Sequence, residues 1–331
     1  MQYNSVKGFS PLGQLGILIL FLGLGFLLAA GVQLAIGMQM VPEGTPLTKM
    51  GDVLMKAMMD PKNIFMARLS QVLGTFFLFC LPALLYAFVV HGKNLWWLGF
   101  NKYINAKQIL FGFLIMFIAN ILAAPLADIS KNIIAHFPDL NTTAKKLEEA
   151  YNEQVMALSN LKSWPEFLMA IIIMAFFPAF FEEVFFRGAM QNVLVRWWRN
   201  PMAAIIVTSI VFSIIHFSIY LFLSRAVLGF VLGMMYYRTK NIWINIVAHF
   251  LNNLIAVIQL FYLGMKHEKV DVSKLDPSIH WAWGLLALAV IIFLFRMLNK
   301  ASVENRMRIE TRETLLLEQA NPFGSIADKN F

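Results

Sequence analysis

The chain has 331 residues, is 59% hydrophobic and only 14% charged, and carries a mean hydropathy of +0.66 and a formal net charge of +8. Ordinary soluble domains hold about 25% charged residues, so this composition excludes a soluble globular protein and points to a polytopic membrane protein. No nucleic-acid motif accompanies the positive charge, so it reads as charge at a membrane surface and no nucleic-acid partner is expected.

A helix crosses the hydrocarbon layer with about 20 mostly apolar residues. Stretches of that kind lie at approximately 14–37, 67–90, 107–129, 165–186, 201–219, 221–237, 241–263 and 280–298. The expected fold is therefore all-α with about eight transmembrane helices. The alternating pattern of a membrane barrel is not seen. The first run is too long for a signal-peptide core and only Lys7 precedes it, so it reads as a retained span. Residues 38–66, with Pro42, Gly44, Pro46 and Pro61 around a Met-rich amphipathic piece, read as an interfacial helix. Cys80 lies in the second run, which leaves no internal disulfide and makes it a structural, inert thiol. The longest polar connection, 130–163, is expected to contain a soluble or surface-lying helix on the outer side. After Leu298 the tail alternates charges and runs into Asn321-Pro322-Phe323-Gly324, a surface-bound or disordered segment. The organisation expected is an N-terminal region over 1–163, a core over 164–265, and a last span with its tail over 266–331.

Lys and Arg set the orientation. With the N-terminus inside, the inner segments hold 15 of them against 12 outside, and the short connections 188–200 and 238–240 carry only positive charges. A multi-pass protein with both termini inside is expected, in the plasma or inner membrane if the cell is bacterial.

The fourth, fifth and seventh spans carry polar groups that stability does not explain. Glu182, Glu183 and Arg187 follow a run from Phe167 to Phe181 that contains no charge. Each charge at the membrane centre costs about 2.5–3.5 kcal/mol on insertion scales, which makes the cluster a candidate functional site. Residues four apart share a helix face, so Glu183 pairs with Arg187 and Glu182 is left as the less neutralised acid. Phe212 and His216 are four apart on the fifth span, and His249 and Asn253 on the seventh, with Asn245 one turn earlier and Asn252 alongside. By spacing, only Asn253 shares the face of His249. A lone membrane histidine is more often a packing residue; two of them with a Glu/Glu/Arg cluster and an Asn stripe are not.

Hydrolysis of a peptide bond in a membrane needs a base for water, a role suited to a carboxylate in a low-dielectric setting. It also needs fixed donors for the oxyanion. Glu182, His216, His249 and Asn253 supply such a set if their helices converge. There is no His-Glu-x-x-His, Gly-x-Ser-x-Gly or Walker-type loop, and Gly229 and Gly233 read as close helix packing. A divalent metal such as zinc could bind among Glu182, Glu183, His216 and His249.

Together these residues resemble the CAAX-protease and bacteriocin-processing (Abi) family of intramembrane endopeptidases. The family's Glu-Glu-x-x-x-Arg matches Glu182, Glu183 and Arg187; its Phe-x-x-x-His matches Phe212 and His216; its His-x-x-x-Asn matches His249 and Asn253. The resemblance covers roughly residues 165–263. It implies an all-helical fold with a cavity open to the membrane and the cytoplasm, and cleavage of a membrane-associated protein or peptide. It further implies that Glu182 with His216 activates water, that His249 and Asn253 hold the oxyanion, and that Glu183, Arg187 and Phe212 support them. The motifs fit a glutamate-dependent mechanism without a required cofactor at least as well as a metal held by Glu182, His216 and His249. Two other readings use the same residues: a non-catalytic immunity or scaffold protein of the same fold, and an ion-coupled transporter. No motif residue is lost, as the first would suggest, and no internal repeat supports the second.

Overall fold

The computed structural model describes residues 5–158, 161, 163–265 and 279–320. Among these the chain is helical, with no strand. Counted as continuous rods, the helices are α1 (Pro11–Met40), α2 (Met50–Met59), α3 (Ile64–His91), α4 (Ala106–Ala135), α5 (Pro138–Leu158), α6 (Trp164–Trp198), α7 (Pro201–Ile214), α8 (Phe222–Thr239), α9 (Ile242–Met265) and α10 (Trp281–Ala320).

Six of them, α1, α3, α4, α6, α9 and α10, are long and apolar enough to cross a membrane. The other two expected spans are of a different kind. The α7 helix has 14 residues, about 21 Å at 1.5 Å per residue, short of a hydrocarbon layer of about 30 Å. The α8 helix has 18 residues and carries Arg225 and Arg238. The protein is thus an all-α polytopic membrane protein in which six helices meet the criteria for a span.

Local sequence sets the helix ends. Ser10 caps α1 through its Oγ, which accepts from the Gly13 N–H at 3.1 Å, and Pro11 supplies a first residue that needs no N–H partner. Asn105 and Gln108 form a reciprocal capping box at the start of α4. Asn200 caps α7 directly before Pro201. The chain leaves α6 and α8 through left-handed residues, Arg199 at φ 54° and Lys240 at φ 50°, which reverse its direction within two residues.

The lipid-facing character of the rods is visible in their exposed apolar residues, such as Phe26, Leu27 and Leu168, about 60% exposed or more. Their inner faces form a phenylalanine-rich core around Phe79, Phe181, Phe185, Phe186 and Phe212. Small residues bring α8 against its neighbours: a Cβ at Gly229 would lie 3.1 Å from Phe212, and one at Gly233 2.8 Å from Ile205. Cys80 is buried and unbridged.

The polar connections resolve as expected in part. α2 occupies the Met-rich piece of 38–66, and α5 the segment 138–158. The tail differs: α10 does not stop at the membrane edge but continues as helix to Ala320. Pairs such as Arg306–Glu310 support it from within. Ser302 and Asn305 bind Gln108 at 3.0 and 2.8 Å, and Glu313 binds Lys240 at 2.9 Å, so the extension is docked on the bundle. Residues 321–331, including Asn321-Pro322-Phe323-Gly324, lie outside the described residues.

Candidate active site

Four helices, α6 to α9, bring the polar residues to one place. In α6 a regular helical segment, Phe177–Glu183, passes into a π-helical one, Val184–Gln191, a wider turn often found at functional sites. Glu182 and Glu183 stand at that junction and point in different directions.

Glu183 and Arg187 are both fully buried, with Oε1 and Nη1 2.6 Å apart. The other contacts of this pair cross between helices. Arg187 donates through Nη2 to the Gly229 carbonyl at 3.0 Å, and its guanidinium lies 4.9 Å over the Phe212 ring. Glu183 accepts from His249 Nδ1 at 2.9 Å and from Asn245 Nδ2 at 3.1 Å. These bonds fill most of the pair's remaining polar positions and offset part of the cost of burying its charges, while Arg187 Nε is left without a hydrogen-bond partner. Spacing identified the Glu183–Arg187 pair; it gave no sign that His249 and Asn245 complete it.

Glu182 is the opposite case. Its Oε2 is buried with no hydrogen-bond partner, and it lies 4.0 Å from both His216 Nε2 and His249 Nε2. Each imidazole is oriented from behind. His216 Nδ1 donates to the Phe212 carbonyl at 2.6 Å, and His249 Nδ1 donates to Glu183. With Nδ1 so engaged, both Nε2 atoms are the ones presented toward Glu182. Phe212 packs against both rings, with centroids 4.7 Å from His216 and 6.0 Å from His249. His216 itself lies just past the end of α7 rather than within a helix running to 219, and the following Phe217 takes a left-handed φ of 51°.

These groups face a cavity of about 370 Å³. Asn253 lines it and donates weakly to the Ala175 carbonyl at 3.5 Å. Asn252 lines it too, which corrects the expectation that only Asn253 would share the side of His249; its Oδ1 accepts from Asn120 at 2.7 Å. Two further residues in the wall were missed by the sequence reading. Arg225 donates to the His216 carbonyl at 3.2 Å and lies 4.8 Å over the ring of Tyr151, which reaches the cavity from α5. A charged residue inside the apolar stretch 221–237 was the available signal for Arg225.

The cavity is walled from one end of the bundle, the end that carries α5 and the connection 215–221. Because successive spans alternate in direction, the connections 188–200 and 238–240 lie at the other end.

Among the described residues no group of three or more His, Cys, Asp or Glu is placed to hold a metal ion. Zinc ligands lie about 2.0–2.2 Å from the metal, which puts tetrahedral neighbours at roughly 3.3 Å from one another. The two 4.0 Å separations are wider than that, so Glu182, His216 and His249 as placed do not form a tetrahedral set.

A helical membrane bundle with a carboxylate and two imidazoles around a buried cavity defines the class of this protein: a polytopic membrane protein with a built polar site. Residues 164–255, which run from the start of α6 into α9 and include every motif residue named above, match the family described as "Type II CAAX prenyl endopeptidase Rce1-like". The resemblance drawn from the three motifs is thus shown for that segment. The chain is also 29% identical over 105 residues to "Uncharacterized protein YpbD" of Bacillus subtilis, covering 30% of this chain and 51% of that protein. It is 31% identical over 90 residues to "Putative membrane peptidase YdiL" of the same organism, covering 27% of this chain and 36% of that protein. The matched part thus spans about half or less of the length of these relatives. No solved structure matches the chain.

Proposed function

We propose that the protein is an intramembrane endopeptidase that hydrolyses a peptide bond of a membrane-associated protein or peptide. The observation that carries the reading is the position of Glu182 Oε2, unpartnered and 4.0 Å from two imidazole Nε2 atoms at the wall of a cavity. The match of residues 164–255 to a peptidase family supports it.

In this reading a water bound between Glu182 and His216 gives one proton to Glu182 while its oxygen attacks the scissile carbonyl. His216 Nε2 accepts a hydrogen bond from the water's other O–H, which stays on the attacking oxygen, and so aims the lone pair. The carbonyl oxygen becomes the oxyanion, met by the Asn253 amide and by the His249 ring. Glu182 then passes its proton to the leaving amine, which restores the carboxylate. Glu183, held by Arg187 and Asn245, fixes the ring of His249, and Phe212 packs both rings. The mechanism requires no metal or other cofactor. We adopt the orientation with both termini inside, which puts the mouth of the cavity on the outer face.

The test is Glu182→Gln. General-base catalysis contributes about 10²–10⁴-fold, so the variant should lose cleavage of a membrane-tethered peptide by about that factor while remaining folded. Full activity in that variant would overturn the reading, and protection or partner binding that persists without cleavage would favour a scaffold protein.

A further inference from the structure

A second cavity, of about 210 Å³, lies at the other end of the bundle from the proposed catalytic site. It is built where the short helical turn Leu95–Leu98, the last turns of α6 and α8, and the extension of α10 meet. Three features mark it as more than a gap between helices. Arg196 lines it with its guanidinium 5.1 Å over the Trp97 ring and Nη1 3.2 Å from His91 Nε2, and no carboxylate among the described residues pairs with it. Trp96 and Trp97, both in the wall, carry buried indole N–H groups with no hydrogen-bond partner. The one acid in the wall, Glu313, is already engaged by Lys240 at 2.9 Å.

A guanidinium held flat by an aromatic ring, with N–H groups of its own left over, suits an anion with several acceptor oxygens. Arg196 uses one of its N–H groups on His91 and keeps the rest. The surrounding connections 188–200 and 238–240 contain positive charges and no negative ones, and Trp197 and Trp243, each 40% exposed, continue the aromatic band around this end. Basic and aromatic residues together at the end of apolar helices mark the headgroup level of a bilayer.

We propose that this cavity is a phosphate-binding site centred on Arg196, Trp96 and Trp97, and that the phosphate it takes is the headgroup of an anionic phospholipid. The site is independent of the peptidase reading. Its occupant would bridge the end of α6, the helix that carries Glu182 and Glu183, to α8 and to the docked extension of α10.

Native mass spectrometry of the full chain in detergent tests it, with phosphatidylglycerol, phosphatidylcholine and inorganic phosphate titrated separately. Wild-type protein should retain phosphatidylglycerol in preference to phosphatidylcholine. Loss of one charge-assisted contact weakens binding by about tenfold, so Arg196→Gln should retain correspondingly less phosphatidylglycerol. Arg196→Lys should fall between them, and Trp96→Phe, which removes only an N–H and keeps the ring, should weaken retention by a smaller factor. Competition by inorganic phosphate with no retained lipid would keep the site and assign it to a free phosphate. Equal retention of phosphatidylglycerol by wild type, Arg196→Lys and Trp96→Phe, or by a folded Arg196→Gln, overturns the proposal.

Discussion

Glu183 Oε1 and His249 Nδ1 are joined by a 2.9 Å hydrogen bond between residues 66 apart in sequence. The bond makes Glu183 a shared element: it neutralises Arg187 on its own helix and orients an imidazole on another. Removing its charge leaves a fully buried guanidinium uncompensated, which typically costs about 3–5 kcal/mol. Glu183→Gln should therefore unfold at markedly lower denaturant or temperature in detergent, unlike Glu182→Gln, whose side chain has an oxygen that bonds nothing. A change below about 1 kcal/mol in Glu183→Gln, the range of an exposed pair, would contradict the structure.

The two neighbouring asparagines differ in their hydrogen-bond partners although both line the cavity. Asn253 has only a long contact to Ala175, so its amide is available to a substrate oxygen, whereas Asn252 is tied to Asn120. Loss of one oxyanion donor lowers kcat by about 10²–10³-fold. Asn253→Ala should show a loss of that size with little change in KM, and Asn252→Ala a much smaller one. The reverse ranking in a peptide-cleavage assay would reassign the donor.

The proposed mechanism routes water activation through Glu182 and His216 alone. Dialysis against a chelator should leave cleavage unchanged. Inhibition that added zinc reverses would instead require Glu182, His216 and His249 to close around a metal.

Orientation has a direct readout. In a Cys80→Ala background, Lys145→Cys on α5 and Lys300→Cys on α10 both place an exposed thiol. With both termini inside, an impermeant maleimide added to intact cells should label Lys145→Cys and spare Lys300→Cys. The opposite pattern would invert the protein and turn the cavity toward the cytoplasm.

Gly188 is a packing test of the site helix. A Cβ there would sit 2.8 Å from the Leu98 carbonyl oxygen, a backbone atom that has little freedom to move. Gly188→Ala should destabilise the protein by about 1–3 kcal/mol, the usual cost of overpacking, measurable as a lower unfolding temperature.

The sequence by itself determined the class of the protein. Hydrophobic composition and 20-residue apolar runs require helices in a membrane, because only internal hydrogen bonding satisfies a backbone in hydrocarbon. The Glu183–Arg187 pair was equally legible, since a four-residue spacing acts within one helix. The helical run to Ala320 was not legible, because an alternating charged segment becomes a docked helix only when Gln108 and Lys240 are there to receive it.

What only the tertiary structure decided is which side chains from different helices meet. The bond from Glu183 to His249, the equal approach of two imidazoles to Glu182, the entry of Tyr151 and Arg225 into the cavity, and the seating of Arg196 on Trp97 all join residues with no fixed spacing in the chain. Helix periodicity relates residues within about two turns of each other. Beyond that range the packing of rods against one another sets the distances, and it is packing that turned a row of costly polar residues into a site with one unpartnered carboxylate oxygen.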